Sequence, residues 1–200
     1  MTDILAVGWK NNADMVADGI APFGWLDGKV IDLTYNTGKF WRKWRPANLV
    51  TNDTDRTFET DWHEDCRDTS WNDQIFDAAV VDLPYKLTGT PASGRMDVDY
   101  GTTFYRSLDT VSMMHVEACS EAARIARIVH VKTMNQVCGG KVRWLCDDVT
   151  THMGMIGMRK VTQLMVVGYR PQPKTNRDGT QRTQEHPVNN YSTWMVFDHG

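Results

Sequence analysis

An aspartate closing an apolar run, a proline turn and an aromatic ring stand in four consecutive residues, Asp82-Leu83-Pro84-Tyr85. These residue types suit one kind of chemistry, the activation of a flat, conjugated amine. The exocyclic amine of adenine or cytosine is a poor nucleophile because its lone pair is delocalised into the ring. A carboxylate and a backbone carbonyl that accept hydrogen bonds from both amine hydrogens draw the nitrogen toward a tetrahedral, nucleophilic geometry, which is preorganised electrostatic assistance. Asp82 and the Leu83 carbonyl are the candidates for that pair. Pro84 fixes the turn that aims the carbonyl, and Tyr85 offers a face on which an extruded base can stack. Alone, an aspartate before a proline turn is common in α/β proteins, so the tetrapeptide takes its meaning from its place in the chain.

Two further constellations precede it. VIDLTYNTG, residues 30–38, reads as a strand running through a tight turn into a helix. Such a turn brings backbone N–H groups close to a ligand's carboxylate or ribose. With Gly38 as its one glycine it is no dinucleotide fingerprint, and Phe40 after Lys39 lacks the hydroxyl that a P-loop needs there. Asn36 tolerates a left-handed backbone where glycine would be usual. Asp53 or Asp55 lies about 20 residues beyond Asp32, where Rossmann-like folds place an acid on ribose hydroxyls. Asp65, followed by Cys66, is a candidate for the adenine amine of a nucleotide cofactor.

The elements that must hold these groups alternate between strand and helix signals, which predicts a mostly parallel sheet covered by helices. Strands are predicted over residues 29–33, 48–51, 76–82, 128–131, 161–169 and 191–197, and helices over 40–44, 105–126 and 142–158. The last two strands have no helix between them and are expected to pair as an antiparallel hairpin. Residues 86–106 carry three glycines and one proline with little periodicity, a loop long enough to suggest function. His115 on the long helix and His130 in a strand read as packed side chains.

Composition sets the outer limits. The 200 residues, 41% hydrophobic and 24% charged, suffice for one core, so a single domain over residues 1–200 without a separate target-recognition domain is expected. No apolar run approaches the roughly 20 residues of a membrane span, and no basic segment with an apolar stretch opens the chain. A cytoplasmic protein without a membrane partner is the expectation. Cys66, Cys119, Cys138 and Cys146 have no CxxC spacing and read as free thiols. His63 with Cys66 falls short of a tetrahedral zinc set, so no metal is predicted.

A net charge of −3 excludes a broadly basic nucleic-acid binder. Local charge differs. Lys39, Arg42, Lys43 and Arg45 are interleaved with Phe40, Trp41 and Trp44. Lys86 and Arg95 lie on the long loop, Lys141 and Arg143 precede Trp144, and Arg170, Lys174, Arg177 and Arg182 punctuate the last loop. They form either a phosphate-binding face or ordinary solvated helix surface.

In order, VIDLTYNTG, an acidic end to the second strand, VVDLPYKLTGTP, IVHVKTMNQVCGGKVRW, a YRPQP loop and NNYSTWMVF run over residues 28–197. This ordered set resembles small bacteriophage and actinobacterial DNA amino-methyltransferases of the D-P-P-Y type. The resemblance implies a Rossmann-like fold of seven strands with an antiparallel C-terminal hairpin. It also implies S-adenosylmethionine (SAM) as methyl donor, and transfer to adenine N6 or cytosine N4 of DNA. Asp82, Leu83, Pro84 and Tyr85 match the family's catalytic motif, and Asp32, Thr34, Tyr35 and Gly38 match its first cofactor motif. Leu83 replaces the usual first proline, and Asn36 a common glycine. Base choice would then fall to residues 86–106 and 170–190. A catalytically impaired DNA- or protein-binding module, and a methyltransferase acting on RNA or on a protein side-chain amide, are the alternative readings; a homodimer is compatible with either.

Overall fold

The computed structural model describes residues 9–87, 107–138, 141–167 and 191–200. Its strands are β1 (Lys29–Asp32), β2 (Asn48–Thr51), β3 (Phe76–Val81), β4 (Ala126–Thr133), β5 (Gln136–Cys138), β6 (Lys141–Arg143), β7 (Met158–Val167) and β8 (Tyr191–His199). Its α-helices are α1 (Asn12–Met15), α2 (Leu108–Ile125) and α3 (Leu145–Met155). Six strands form the main sheet in the order β2-β1-β3-β4-β8-β7, parallel except where β8 runs between β4 and β7. The expected antiparallel hairpin of the last two long strands is thus present.

Seven strands were expected and six are found in this sheet among the described residues. Beyond β2, where a further edge strand would pair, there is one parallel bridge between Asn52 and Trp62. Residues 61–75 are too polar and turn-rich to continue it. Side chains hold them instead: Asn52 Nδ2 donates to the Glu64 carbonyl at 2.9 Å, and Arg124 of α2 donates to the Trp71 carbonyl at 2.8 Å and to Asp73 at 2.7 Å.

Alternation along the strands divides the core into two layers. Ile31, Ala79, Val81, Val129, Val131, Met195 and Phe197 face α2 and α3. Val30, Ala78, Val80, Trp194 and Val196 face an N-terminal helical segment carrying Met15, Val16 and Ile20, together with Phe40 and Trp41. That segment carried no sequence expectation. It opens at Asn11, whose side chain accepts from Asp14 N at 2.9 Å. Each fully buried large side chain contributes roughly 1.5–3 kcal/mol relative to exposure.

Helix α2 buries Val111, His115, Ala118, Ala122 and Ile125, the one-sided stripe its sequence predicts. Ser107 caps it, with Asp109 in the first turn and Arg124 in the last, as the helix dipole favours. Two helical expectations need correction. Residues 40–44 contain only a short 3₁₀ turn, Lys39–Trp41, because Pro46 leaves too little chain for a helix. The helix expected from residue 142 begins at Leu145, since Val142 pairs with Val137 in the β5-β6 hairpin, and Gly157, at φ 88°, follows its end. Cys66, Cys119 and Cys146 are buried free thiols. Among the described residues no helix is long and apolar enough to cross a membrane.

Candidate active site

Strands β1, β3 and β4 are adjacent and parallel, and their register aligns Asp32 with Val80 and Val80 with His130. Because side chains alternate, Asp32, Asp82 and Lys132 fall on one face at the C-terminal edge of three neighbouring strands. That edge is where open α/β sheets bind ligands. Lys132 Nζ lies 3.1 Å from Asp82 Oδ1 and 3.3 Å from Oδ2. Its ammonium also stands 5.7 Å from the Phe40 ring centre and 5.3 Å from that of Tyr85.

Burial raises the Asp82 pKa and the Lys132 charge opposes that rise. The Asp82 backbone N–H donates to Thr34 Oγ1 at 2.8 Å, which ties the turn after β3 to the turn after β1. Leu83 is buried in the core layer under α2, which accounts for a leucine at this position: its side chain fills space there. Tyr85 packs against the small cluster of Leu87, Val111 and Leu145.

The turn after β1 is built on Asp32. Its Oδ1 accepts from Thr34 N at 3.1 Å and its Oδ2 from Trp41 Nε1 at 2.7 Å. Only 1% exposed, Asp32 has a carboxyl pushed up to about 7 by burial, partly offset by those two donors. Asn36 adopts φ 52°, and its N–H donates to Asp53 Oδ2 at 2.8 Å; Asp53 Oδ1 accepts from Asp55 N at 3.0 Å. Gly38 is required twice over. Its φ is 64°, and a Cβ there would stand 2.6 Å from Tyr35 Cζ.

A small, open cleft of about 40 Å³ lies between this turn, residues 34–37, and Lys39, Phe40, Asp82 and Asn12. Thr34 and Tyr35 therefore meet Asp82 in one cleft. Asp32 lies buried beneath the turn, with each of its oxygens accepting a hydrogen bond from the chain. Asp65 does not line the cleft; it pairs with Arg67 at 2.6 Å. Cys66 is buried, its thiol pushed up to about 12 by desolvation, and it lies near enough to Asp53 to feel its charge.

Of the basic candidates, Lys86 follows Tyr85, and Lys141 and Arg143 sit on the β5-β6 hairpin, whose Cys138 packs against the Tyr85 cluster. Arg95, Arg170, Lys174 and Arg177 lie outside the described residues. Trp41 is committed to Asp32, whereas Trp144 is exposed. Sequence reasoning missed Lys132, Asn12 and Lys39 as parts of the site. The signal for Lys132 was its parity with His130, which places a charge on an inward-facing strand position.

No known family's sequence profile matches the chain, and neither does any curated protein. Solved structures do share its fold. Magnesium protoporphyrin IX methyltransferase from Synechocystis, crystallised with bound SAH, aligns with 94% of this chain and 81% of its own at a TM-score of 0.54 and 11% identity. The same enzyme with bound SAM gives 94%, 78%, 0.52 and 12%. A candidate RNA methyltransferase from Pyrococcus horikoshii gives 96%, 91%, 0.53 and 12%. The chain therefore has the Rossmann-like fold of SAM-dependent methyltransferases.

Proposed function

We propose that the protein is a SAM-dependent methyltransferase acting on the exocyclic amine of a DNA base, adenine N6 ahead of cytosine N4. The observation that carries this reading is that Asp82, which opens the Leu83-Pro84-Tyr85 turn, and the Thr34–Thr37 turn line one cleft at the C-terminal sheet edge. SAM, as found bound in a structural neighbour, supplies an electrophilic methyl group. The donor set fits such a group. The hydroxyls of Thr34 and Thr37, with the Asn12 and Lys39 side chains, suit an amino-acid carboxylate, and Asp53 follows β2 where an acid could meet ribose hydroxyls.

The chain's own residues then act on the base. Tyr85 stacks the flipped ring. Asp82 accepts one amine hydrogen and the Leu83 carbonyl the other, which concentrates the lone pair on nitrogen. Holding the amine in line supplies much of the rate. Lys86, Lys141 and Arg143 provide positive charge for phosphates beside the tyrosine.

Transfer of tritiated methyl from SAM to unmethylated duplex DNA tests the proposal, with Asp82→Ala protein as control. Label in DNA from the unaltered protein alone is the expected result, and nucleoside digestion names the base. Absence of both label and SAM binding would overturn it in favour of a non-catalytic module. Label in RNA or a protein amide alone would move the substrate.

A further inference from the structure

We infer that Lys132 is a positioning residue for the Asp82 carboxylate, fixing its rotation and its negative charge while leaving lone pairs free for the substrate amine. The inference rests on the reading of Asp82 as the acceptor of the amine hydrogens.

The geometry supports each part. Lys132 is 5% exposed and reaches both carboxylate oxygens, at 3.1 and 3.3 Å. An ionised carboxylate has about four acceptor sites, so an ammonium touching both oxygens still leaves room for an amine. The rings of Phe40 and Tyr85, one on the turn after β1 and one on the catalytic turn, stand against the ammonium. This places a compact point charge behind the acid, where the planar fork of an arginine would claim more of its lone pairs.

A carboxylate this buried needs such a partner. Desolvation favours its neutral form, whose hydroxyl donates a hydrogen bond and whose remaining oxygen is a weaker acceptor for the amine hydrogen. The other charged groups nearby do not substitute for Lys132. Asp32 on β1 carries no positive charge, and its own carboxyl is pushed up by burial and by Asp82. Lys39 lines the same cleft but is itself exposed to solvent. On the N-terminal segment, Asp14 is engaged by Lys43. Tyr85, on the catalytic turn, offers a ring face to the ammonium.

The test is a carboxyl-carbon NMR titration of Asp82, assigned with Asp82→Asn, alongside the pH profile of methyl transfer. In Lys132→Met the Asp82 midpoint is expected to rise by at least about one pH unit, with the acid limb of kcat moving up with it. Turnover is expected to fall on the order of 100-fold while KM for SAM stays within about threefold, the pattern of a group acting on the reacting amine. Lys132→Arg is expected to return the midpoint toward that of the unaltered protein. An unchanged Asp82 titration, or an unchanged acid limb, in folded Lys132→Met would overturn the inference. If that variant does not fold, Lys132→Gln, neutral and polar, gives the same two readings. If Asp82→Ala, which removes the acceptor, still methylates, the proposed function fails and the inference with it. If Asp82→Ala is inactive but Asp82 titrates normally without Lys132, the inference alone fails.

Discussion

The hydroxyl of Thr34 accepts a hydrogen bond from the backbone N–H of Asp82 at 2.8 Å. One neutral contact thereby couples the turn after β1 to the turn after β3. Thr34→Val keeps the shape and removes the acceptor, leaving a part-buried N–H without its partner. A loss of about 1–3 kcal/mol in stability is expected, the usual penalty for such a group. Turnover should fall further than this would suggest, because the Asp82 backbone loses its anchor. Thr34→Ser is expected to retain both properties. Urea denaturation and kcat for the two variants check this; equal behaviour of Val and Ser would show that the contact does nothing.

Trp41 and Asp32 supply a second, pH-dependent expectation. Asp32 has a native pKa of about 7 against 3.8 when unfolded, so the native state holds its proton more tightly. Its contribution to stability is complete below 3.8 and is lost as pH rises through 7. The Trp41 indole donates to Oδ2 and favours the charged form. Trp41→Phe is therefore expected to destabilise more at pH 8.5 than at pH 5.5, by about 2 kcal/mol against about 1, since bonds to charged acceptors are the stronger. Equal losses at both pH values, measured by urea denaturation, would contradict the assignment.

Strand positions and the long amphipathic helix were legible because alternation and helical spacing are written locally in residues such as Val80, Val81, Val111 and Ala122. The edge of the sheet was not. Residues 61–75 keep their place through Asn52, Glu121 and Arg124, partners remote in sequence that no local pattern reveals. In the site, Thr34, Tyr35 and Asp82 could be found from their motifs. Asp32 was identified from its motif, but its type and spacing did not reveal its burial beneath the turn or its bonds to Thr34 and Trp41. Lys132 was hidden because its meaning depends on the lateral register of β3 and β4.

His130 carries a third expectation. Trp194 Nε1 donates to its Nδ1 at 3.0 Å, so Nδ1 is unprotonated and Nε2–H donates to the Trp25 carbonyl, also at 3.0 Å. The neutral ring is satisfied on both sides. Burial pushes its pKa down to about 4 from 6.5. Its contribution to stability is present above 6.5 and is lost as pH falls toward 4. His130→Asn offers one acceptor and one donor without titrating. Relative to it, the unaltered protein is expected to lose stability across that window with a slope of about one proton. Parallel stability curves for the two proteins would refute this.

The β5-β6 hairpin follows β4 directly and reaches the Tyr85 cluster through Cys138, so Lys141 and Arg143 are carried close to where a stacked base would enter. In a protein with a net charge of −3, such local positive charge is what attracts a phosphate backbone. Each phosphate contact contributes about 0.9 to the slope of log affinity against log salt. The double variant Lys141→Ala, Arg143→Ala is therefore expected to bind a labelled duplex more weakly at low salt and to lower that slope by about 2. SAM affinity is expected to be unchanged, because neither residue lines the cofactor cleft. Fluorescence anisotropy over a salt series makes the measurement. An unaltered slope would remove the hairpin from the DNA interface and leave the loops around it to carry the contact.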